Sequence, residues 1–157
     1  MRLATHEDFY GGIYTNYRHH EGYTKRARLF KEYPEPILVV GCGFGFLVEE
    51  FDNLGKLAWG IDASSYAIEQ STHPRIRRFD ILDLGRWVLG KFSTVTTEDL
   101  LPYLTDDEVL IVARNCQTLA PIVVHMVTEQ GEANLNYHSC GYWMTLTGQL
   151  TISLEGM

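Results

Sequence analysis

The stretch ILVVGCGFGF, Ile37 to Phe46, restricts the fold more than any other part of the chain. Four apolar residues, three of them β-branched, suit a short buried strand. Three glycines follow at alternate positions, Gly41, Gly43 and Gly45. Glycine admits positive φ and lets bare main chain lie against whatever it meets. A glycine turn between a strand and a helix is a ligand-binding place when the sheet is parallel. The strand's carboxyl end opens there, and the helix points free N–H groups at it. Two ligand classes fit poorly. A P-loop needs Lys followed by Ser or Thr after its last glycine, and neither is present. The dinucleotide motif G-x-G-x-x-G counts to Phe46 at its sixth position, where close helix–strand packing calls for Gly or Ala. A tight turn with no ligand is the plain alternative.

Strand and helix patterns alternate after this point. Phe46, Leu47, Phe51 and Leu54 recur at helical spacing before Gly55. LAWGID is a strand ending in Asp62, SSYAIEQS a short helix, and Ile76 to Phe79 a strand. FSTVTT is a strand, and DDEVLIVARNCQTLA a helix capped by Thr105. PIVVHMVTE is a strand, YWMTLTGQ a helix, and LTISLE a last strand. Ahead of the core, TKRARLFK reads as a helix with Thr24 as N-cap, ended by the prolines of EYPEP. Alternation of this kind predicts an α/β fold. It is a three-layer, doubly wound, mostly parallel sheet in one domain over 1–157, with 1–33 as a helical cap segment and 37–157 as the core.

The formal net charge is −7, which argues against a duplex nucleic-acid binder. Three widely spaced cysteines, Cys42, Cys116 and Cys140, make neither a disulfide framework nor a zinc ribbon, so reduced thiols are expected. No metal-ligand cluster stands out. No apolar run approaches the ~18 residues of a membrane span, and MRLATHEDFYGG has no signal-peptide core. A soluble, cytoplasmic protein is the expectation.

Taken with the later segments, ILVVGCGFGFL resembles the first motif of the class I, Rossmann-like S-adenosylmethionine-dependent methyltransferases. The element order from about residue 10 to 145 is similar to theirs. The resemblance implies that Gly41, Cys42, Gly43 and Gly45 lie against the cofactor. Asp62, with Ala63 beside it, would grip the ribose hydroxyls. A helix N-cap is an equal reading of Asp62 taken alone. RRFDILDL is similar to the family's adenine segment. It implies Asp80 on the adenine amino group and Ile81 on the ring, with Asp83 as the alternative acid. FSTVTTEDLLPYL is similar to the fourth segment through Phe92, Val95, Asp99, Leu101 and Leu104. Ser93 and Tyr103 replace the family's usual Asp and His. That match puts Glu98 near the cofactor's amino group, with solvent exposure as the other reading, and gives Asp99 a structural turn role.

On the acceptor side the resemblance offers two segments. DFYGGIYTNYRHH carries Tyr14 and Tyr17, which would close over the methionine arm or simply seal the core. NYHSCGYW carries His138, a candidate acid or base alongside Glu98 and Tyr17. Arg18, Lys25, Arg26, Arg28, Arg75, Arg77 and Arg78 either form a positive patch or solvate surfaces. About thirty residues follow Val127, fewer than the family's usual helix and two antiparallel strands. One helix and one strand are expected there. The implied activity is methyl transfer from S-adenosylmethionine to a small-molecule or protein acceptor. The competing expectations are a non-catalytic S-adenosylmethionine binder and a nicotinamide-dependent oxidoreductase. The acceptor and the oligomeric state are not legible.

Overall fold

The computed structural model of the chain describes residues 20–71, 73–131 and 135–157. Its organising element is β1 (Ile37–Val40), buried at every position. Side chains alternate across a strand. Ile37 and Val39 pack into one apolar cluster with Phe30, Leu47 and Phe51, while Leu38 and Val40 pack into another with Val95, Val112 and Trp143. A strand apolar on both faces must lie in a middle layer, which is why four consecutive hydrophobic residues occur here.

The other strands are β2 (Ala58–Asp62), β3 (Ile76–Arg78), β4 (Thr94–Glu98), β5 (Ile122–Val127) and β6 (Leu150–Ser153). The sheet order is β3-β2-β1-β4-β5-β6, and every pairing is parallel. The expectation of a mostly parallel sheet is thus met in full, since β6 also runs parallel to β5. Helices α1 (Glu21–Leu29), α2 (Phe46–Asn53) and α3 (Ser65–Gln70) cover one face, and α4 (Asp106–Leu119) and α5 (Cys140–Thr147) the other. Winding reverses between β1 and β4, so a crevice opens at their carboxyl ends.

Local chemistry sets the helix starts. Thr105 and Glu108 form a capping box on α4, through bonds of 3.3 and 3.0 Å. Ser64 caps α3 and Ser139 caps α5. On α1 the expected cap, Thr24, lies inside the helix. His20 caps it instead, its Nδ1 accepting from the Gly22 N–H at 3.1 Å. Histidine is a poor cap by preference, so sequence rules pass over it. Strand β3 ends at Arg78, one residue before the expected Phe79. Among the described residues no helix is long and apolar enough to cross a membrane.

Candidate cofactor-binding site

The glycine turn folds back on its neighbours. The amides of Gly41 and Cys42 both donate to the Ile61 carbonyl, at 2.9 and 3.0 Å, and Gly45 donates to the Cys42 carbonyl at 3.0 Å. Gly45 has φ +92°, and a Cβ there would sit 2.9 Å from Ile76 Cδ1. Bare main chain is therefore needed first for β3 to approach the turn. Cys42 turns its thiol into the core, where burial raises its pKa well above the ordinary thiol value, with Asp62 and Glu98 adding to the rise.

Asp62 closes β2 and is 2% exposed. Its Oδ2 accepts from the Gly43 N–H at 2.9 Å and its Oδ1 from the Ser64 N–H at 2.9 Å. Bonds to a charged acceptor contribute roughly 1.5–3 kcal/mol each, which offsets the cost of burying the carboxylate. The helix-cap reading of Asp62 is corrected: Ser64 Oγ accepts from Ala67 N–H at 3.1 Å and does that work. Asp62 ties the glycine turn to β2.

A pocket opens beside this carboxylate. Val40 and Gly41 line it, with Ile61, Asp62 and Ala63 from the end of β2 and the residue after it. Phe79, Asp80, Ile81, Leu82, Leu100 and Leu104 complete the lining. The lining thus combines one buried and one half-buried carboxylate with apolar side chains. The Ile81 carbonyl is held by Asn115 Nδ2 of α4 at 2.7 Å, which fixes the adjoining loop. Asp80 Oδ1 accepts from the Leu82 N–H at 3.0 Å. Asp83 is exposed and caps a 3₁₀ turn, accepting from the Gly85 N–H at 3.0 Å. Of the two candidate acids, only Asp80 lines the pocket. Phe44 and Phe46 pack edge to face, 5.9 Å between centroids, and neither lines the pocket.

Glu98 ends β4 near this mouth. It is 7% exposed, so the solvated reading is wrong. Arg26 of α1 reaches it, Nη1 to Oε1, at 3.1 Å. Burial pushes the Glu98 carboxyl up to about 8; Arg26 pulls against this and Asp99 adds to it. The next residue, Asp99, takes φ +49° and accepts from Thr128 N–H at 2.7 Å and Thr128 Oγ1 at 3.1 Å. It pins the end of β4 to the end of β5, the turn role expected of it.

His138 is not on the pocket wall. Its Nε2 meets Asn136 Oδ1 at 2.8 Å, and its ring stacks on Tyr142 at 3.7 Å. Asn136 Nδ2 donates to Leu104 O at 3.0 Å and to Asp106 Oδ1 at 2.9 Å. Among the described residues, four of the basic side chains expected in a patch go to separate partners. Arg26 pairs with Glu98, Arg75 with Asp52, Arg77 lies over Trp59, and Arg78 donates to the Ala63 carbonyl at 3.3 Å. Tyr14, Tyr17, Arg18 and His19 lie outside the described residues. Sequence reasoning missed Arg26 as the partner of Glu98, because 72 positions separate them and no local pattern joins them. It also missed Phe79 and Leu82, although apolar residues flanking Asp80 in RRFDIL are a usable signal for a ring slot.

No protein-family model matches the sequence, and no curated protein does. Solved structures do. The chain is similar to a magnesium protoporphyrin IX methyltransferase from Synechocystis PCC 6803, solved with bound SAM, at 16% identity and TM-score 0.65. That match covers 93% of this chain and 80% of the other. DesVI from Streptomyces venezuelae aligns at 21% identity and TM-score 0.60, over 83% of this chain and 60% of that one. The CcbJ methyltransferase from Streptomyces caelestis aligns at 18% identity and TM-score 0.60, over 76% of this chain and 55% of that one. The chain thus spans less than two thirds of the length of DesVI and of CcbJ. At these identities the likeness is one of fold: the chain is built on the same doubly wound α/β plan as the S-adenosylmethionine-dependent methyltransferases it matches.

Proposed function

We propose that the chain binds S-adenosylmethionine and transfers its methyl group to an acceptor by in-line displacement. The observation that carries this is the pocket at the β1–β4 crevice, which Gly41, Asp62 and Asp80 line together with Ile81, Leu100 and Leu104. The residues suit an adenosyl group. Each carboxylate oxygen has two lone pairs, so Asp62 can hold its two amides and still accept from ribose hydroxyls. Ile81, Leu100 and Leu104 offer faces for a flat ring, and Asp80 an acceptor at its edge. Glu98 is the carboxylate for the amino end of the methionine arm. Ala63 joins the ribose wall, and Tyr14 and Tyr17 are proposed to cover the arm.

S-adenosylmethionine supplies an activated methyl on a sulfonium. The chain supplies alignment and exclusion of water, both of which lower the barrier to displacement. His138, Glu98 and Tyr17 are the candidates to take a proton from the acceptor, and a small molecule or a protein side chain is the acceptor class.

A thermal-shift panel with S-adenosylmethionine, S-adenosylhomocysteine, NAD and NADP tests this. A ligand that binds only the folded state raises the melting temperature in proportion to its affinity. The adenosyl ligands should stabilise and the nicotinamides should not. Stabilisation by NAD or NADP alone would replace methyl transfer with hydride transfer. Binding without product across small-molecule and protein acceptors would leave a binder.

A further inference from the structure

The two edges of the sheet are built differently. Strand β3 is three residues long and carries Arg77 and Arg78, both exposed. Short length and exposed charge keep an edge from pairing with another chain. Strand β6, Leu150–Ser153, carries no charge and no proline. Among the described residues it pairs with β5 alone. Just past it, the Leu154 N–H donates to the Val127 carbonyl at 2.8 Å. By strand alternation Leu150 and Ile152 also turn their main chain to β5, and Thr151 and Ser153 turn theirs outward. Leu150 is 47% exposed and Ile152 half-buried, so the open edge is apolar as well as unpaired. Leu150 also borders a concavity of about 330 Å³ with Tyr33, Ile122 and Val124.

Charge is unequal along this edge. Residues 98–157 hold eight Asp and Glu against a single Lys or Arg, Arg114. At the carboxyl end of β6, Glu155 Oε1 accepts from the Glu129 N–H at 3.1 Å, so two carboxylates stand there together. At the amino end, Gln149 Nε2 donates to the Ala113 carbonyl at 2.9 Å, next to the exposed Arg114 of α4. Lys56 Nζ donates to the carbonyl of Tyr33, which borders the same concavity, at 2.8 Å. A parallel neighbour of the same charge pattern would set carboxylates beside carboxylates. An antiparallel one sets the acidic end beside the end that holds Arg114 and Lys56, which is the complementary arrangement.

We infer that β6 docks a second copy of this chain, paired antiparallel about a two-fold axis at Thr151. The register follows from the residues. The outward main chain of Thr151 in one protomer meets that of Thr151 in the other as a hydrogen-bonded pair, and the Ser153 N–H reaches the Gln149 carbonyl across the axis. Leu150 of one protomer then lies opposite Ile152 of the other, in the closer, non-hydrogen-bonded positions. Apolar pairs on one face stabilise a sheet, and this pair forms twice, as an isologous interface requires. Glu155 comes opposite Thr147 across the axis, away from the other protomer's Glu155 and Glu129. Helix α5 packs against β6 and leaves Met144 39% exposed, so the same axis brings the two copies of α5 side by side. The crevice between β1 and β4 stays clear of this contact.

Sedimentation equilibrium of the full chain, with residue-resolved amide hydrogen exchange on the same samples, tests it. Wild type should sediment as a dimer whose Thr151 and Ser153 amides are protected from exchange. Leu150→Lys should be a monomer with an unchanged circular dichroism spectrum. Its Thr151 and Ser153 amides should exchange freely, while the Leu154 amide, held by Val127 of its own chain, stays protected. Leu110→Lys, a change at a leucine of α4 exposed to a similar degree, should remain a dimer. The exchange pattern of wild type needs no variant, so a misfolded Leu150→Lys leaves the test intact. A wild type that is monomeric at every concentration overturns the proposal. So does a dimer whose Thr151 and Ser153 amides exchange freely, or one that survives Leu150→Lys. Protection of those two amides in a monomer assigns the edge to a segment of the same chain and overturns it as well.

Discussion

The Asp62 carboxylate accepts the Gly43 amide at 2.9 Å, so the acid that ends β2 holds the turn that ends β1. Motif and acid are one unit. Removing the carboxylate strands two buried N–H groups, those of Gly43 and Ser64. Each orphan costs about 1–3 kcal/mol. Asp62→Ala should therefore lose roughly 2–6 kcal/mol of stability in urea unfolding. In the folded fraction, affinity for S-adenosylhomocysteine should fall by about 1–3 kcal/mol. Full affinity in a folded Asp62→Ala protein would remove Asp62 from the site.

Gly45 should tolerate no side chain. Its φ of +92° strains any L-residue, and an added Cβ would lie 2.9 Å from Ile76 Cδ1. Gly45→Ala should cost about 1–2 kcal/mol from the backbone alone, with steric cost added. Shortening the neighbour separates the two terms. In a double-mutant cycle, Ile76→Ala, which removes both Cδ1 at 2.9 Å and Cγ1 at 3.0 Å, should recover most of the steric part and leave the backbone part. Strict additivity would mean that the contact does not matter.

His125 should make the fold acid-sensitive. It is fully buried between Thr97 Oγ1 at 2.8 Å and Gln149 Oε1 at 2.7 Å. Burial lowers its pKa to about 4 from 6.5. The unfolded chain binds a proton more readily than the folded one in that window. Stability is then complete above pH 6.5 and falls as pH drops through 4, by roughly 3 kcal/mol. Equilibrium unfolding at a series of pH values should show this slope, and His125→Gln should flatten it.

Glu98 should act with the opposite sign. Its carboxyl is pushed up to about 8, chiefly by burial, from 4.5. The folded chain therefore holds the proton more tightly than the unfolded one. The contribution is fully present below 4.5 and is lost as pH rises through about 8. Glu98→Gln should remove this alkaline decline in the same unfolding series, leaving the acid limb untouched.

The strands and the longer helices were legible because periodicity and caps are local. ILVV is buried on both faces, as a middle strand must be, and Thr105 with Glu108 starts α4 as its pattern says. Asp62 was legible as a site candidate through its distance from Gly41, and Asp80 through the resemblance of RRFDILDL to a family segment. What escaped was non-local. Nothing near Arg26 announces Glu98, and nothing in GCGFG says that Gly45 is bare for the sake of Ile76. His20 escaped for a different reason, since its capping bond contradicts the residue's usual preference. For Glu98 the family match left solvent exposure as an equal reading, and its burial removes that one.

The central claim is that an adenosyl ligand lies in the pocket between Asp62 and Asp80. The most direct measurement is an amide NMR titration with S-adenosylhomocysteine. Perturbations should saturate and centre on Gly41 to Gly45, Asp62, Ala63 and Asp80 to Leu82. Saturable shifts confined to the opposite end of the sheet, around Gln117, Pro121 and Gln149, would contradict it, as would a spectrum that the ligand leaves unchanged.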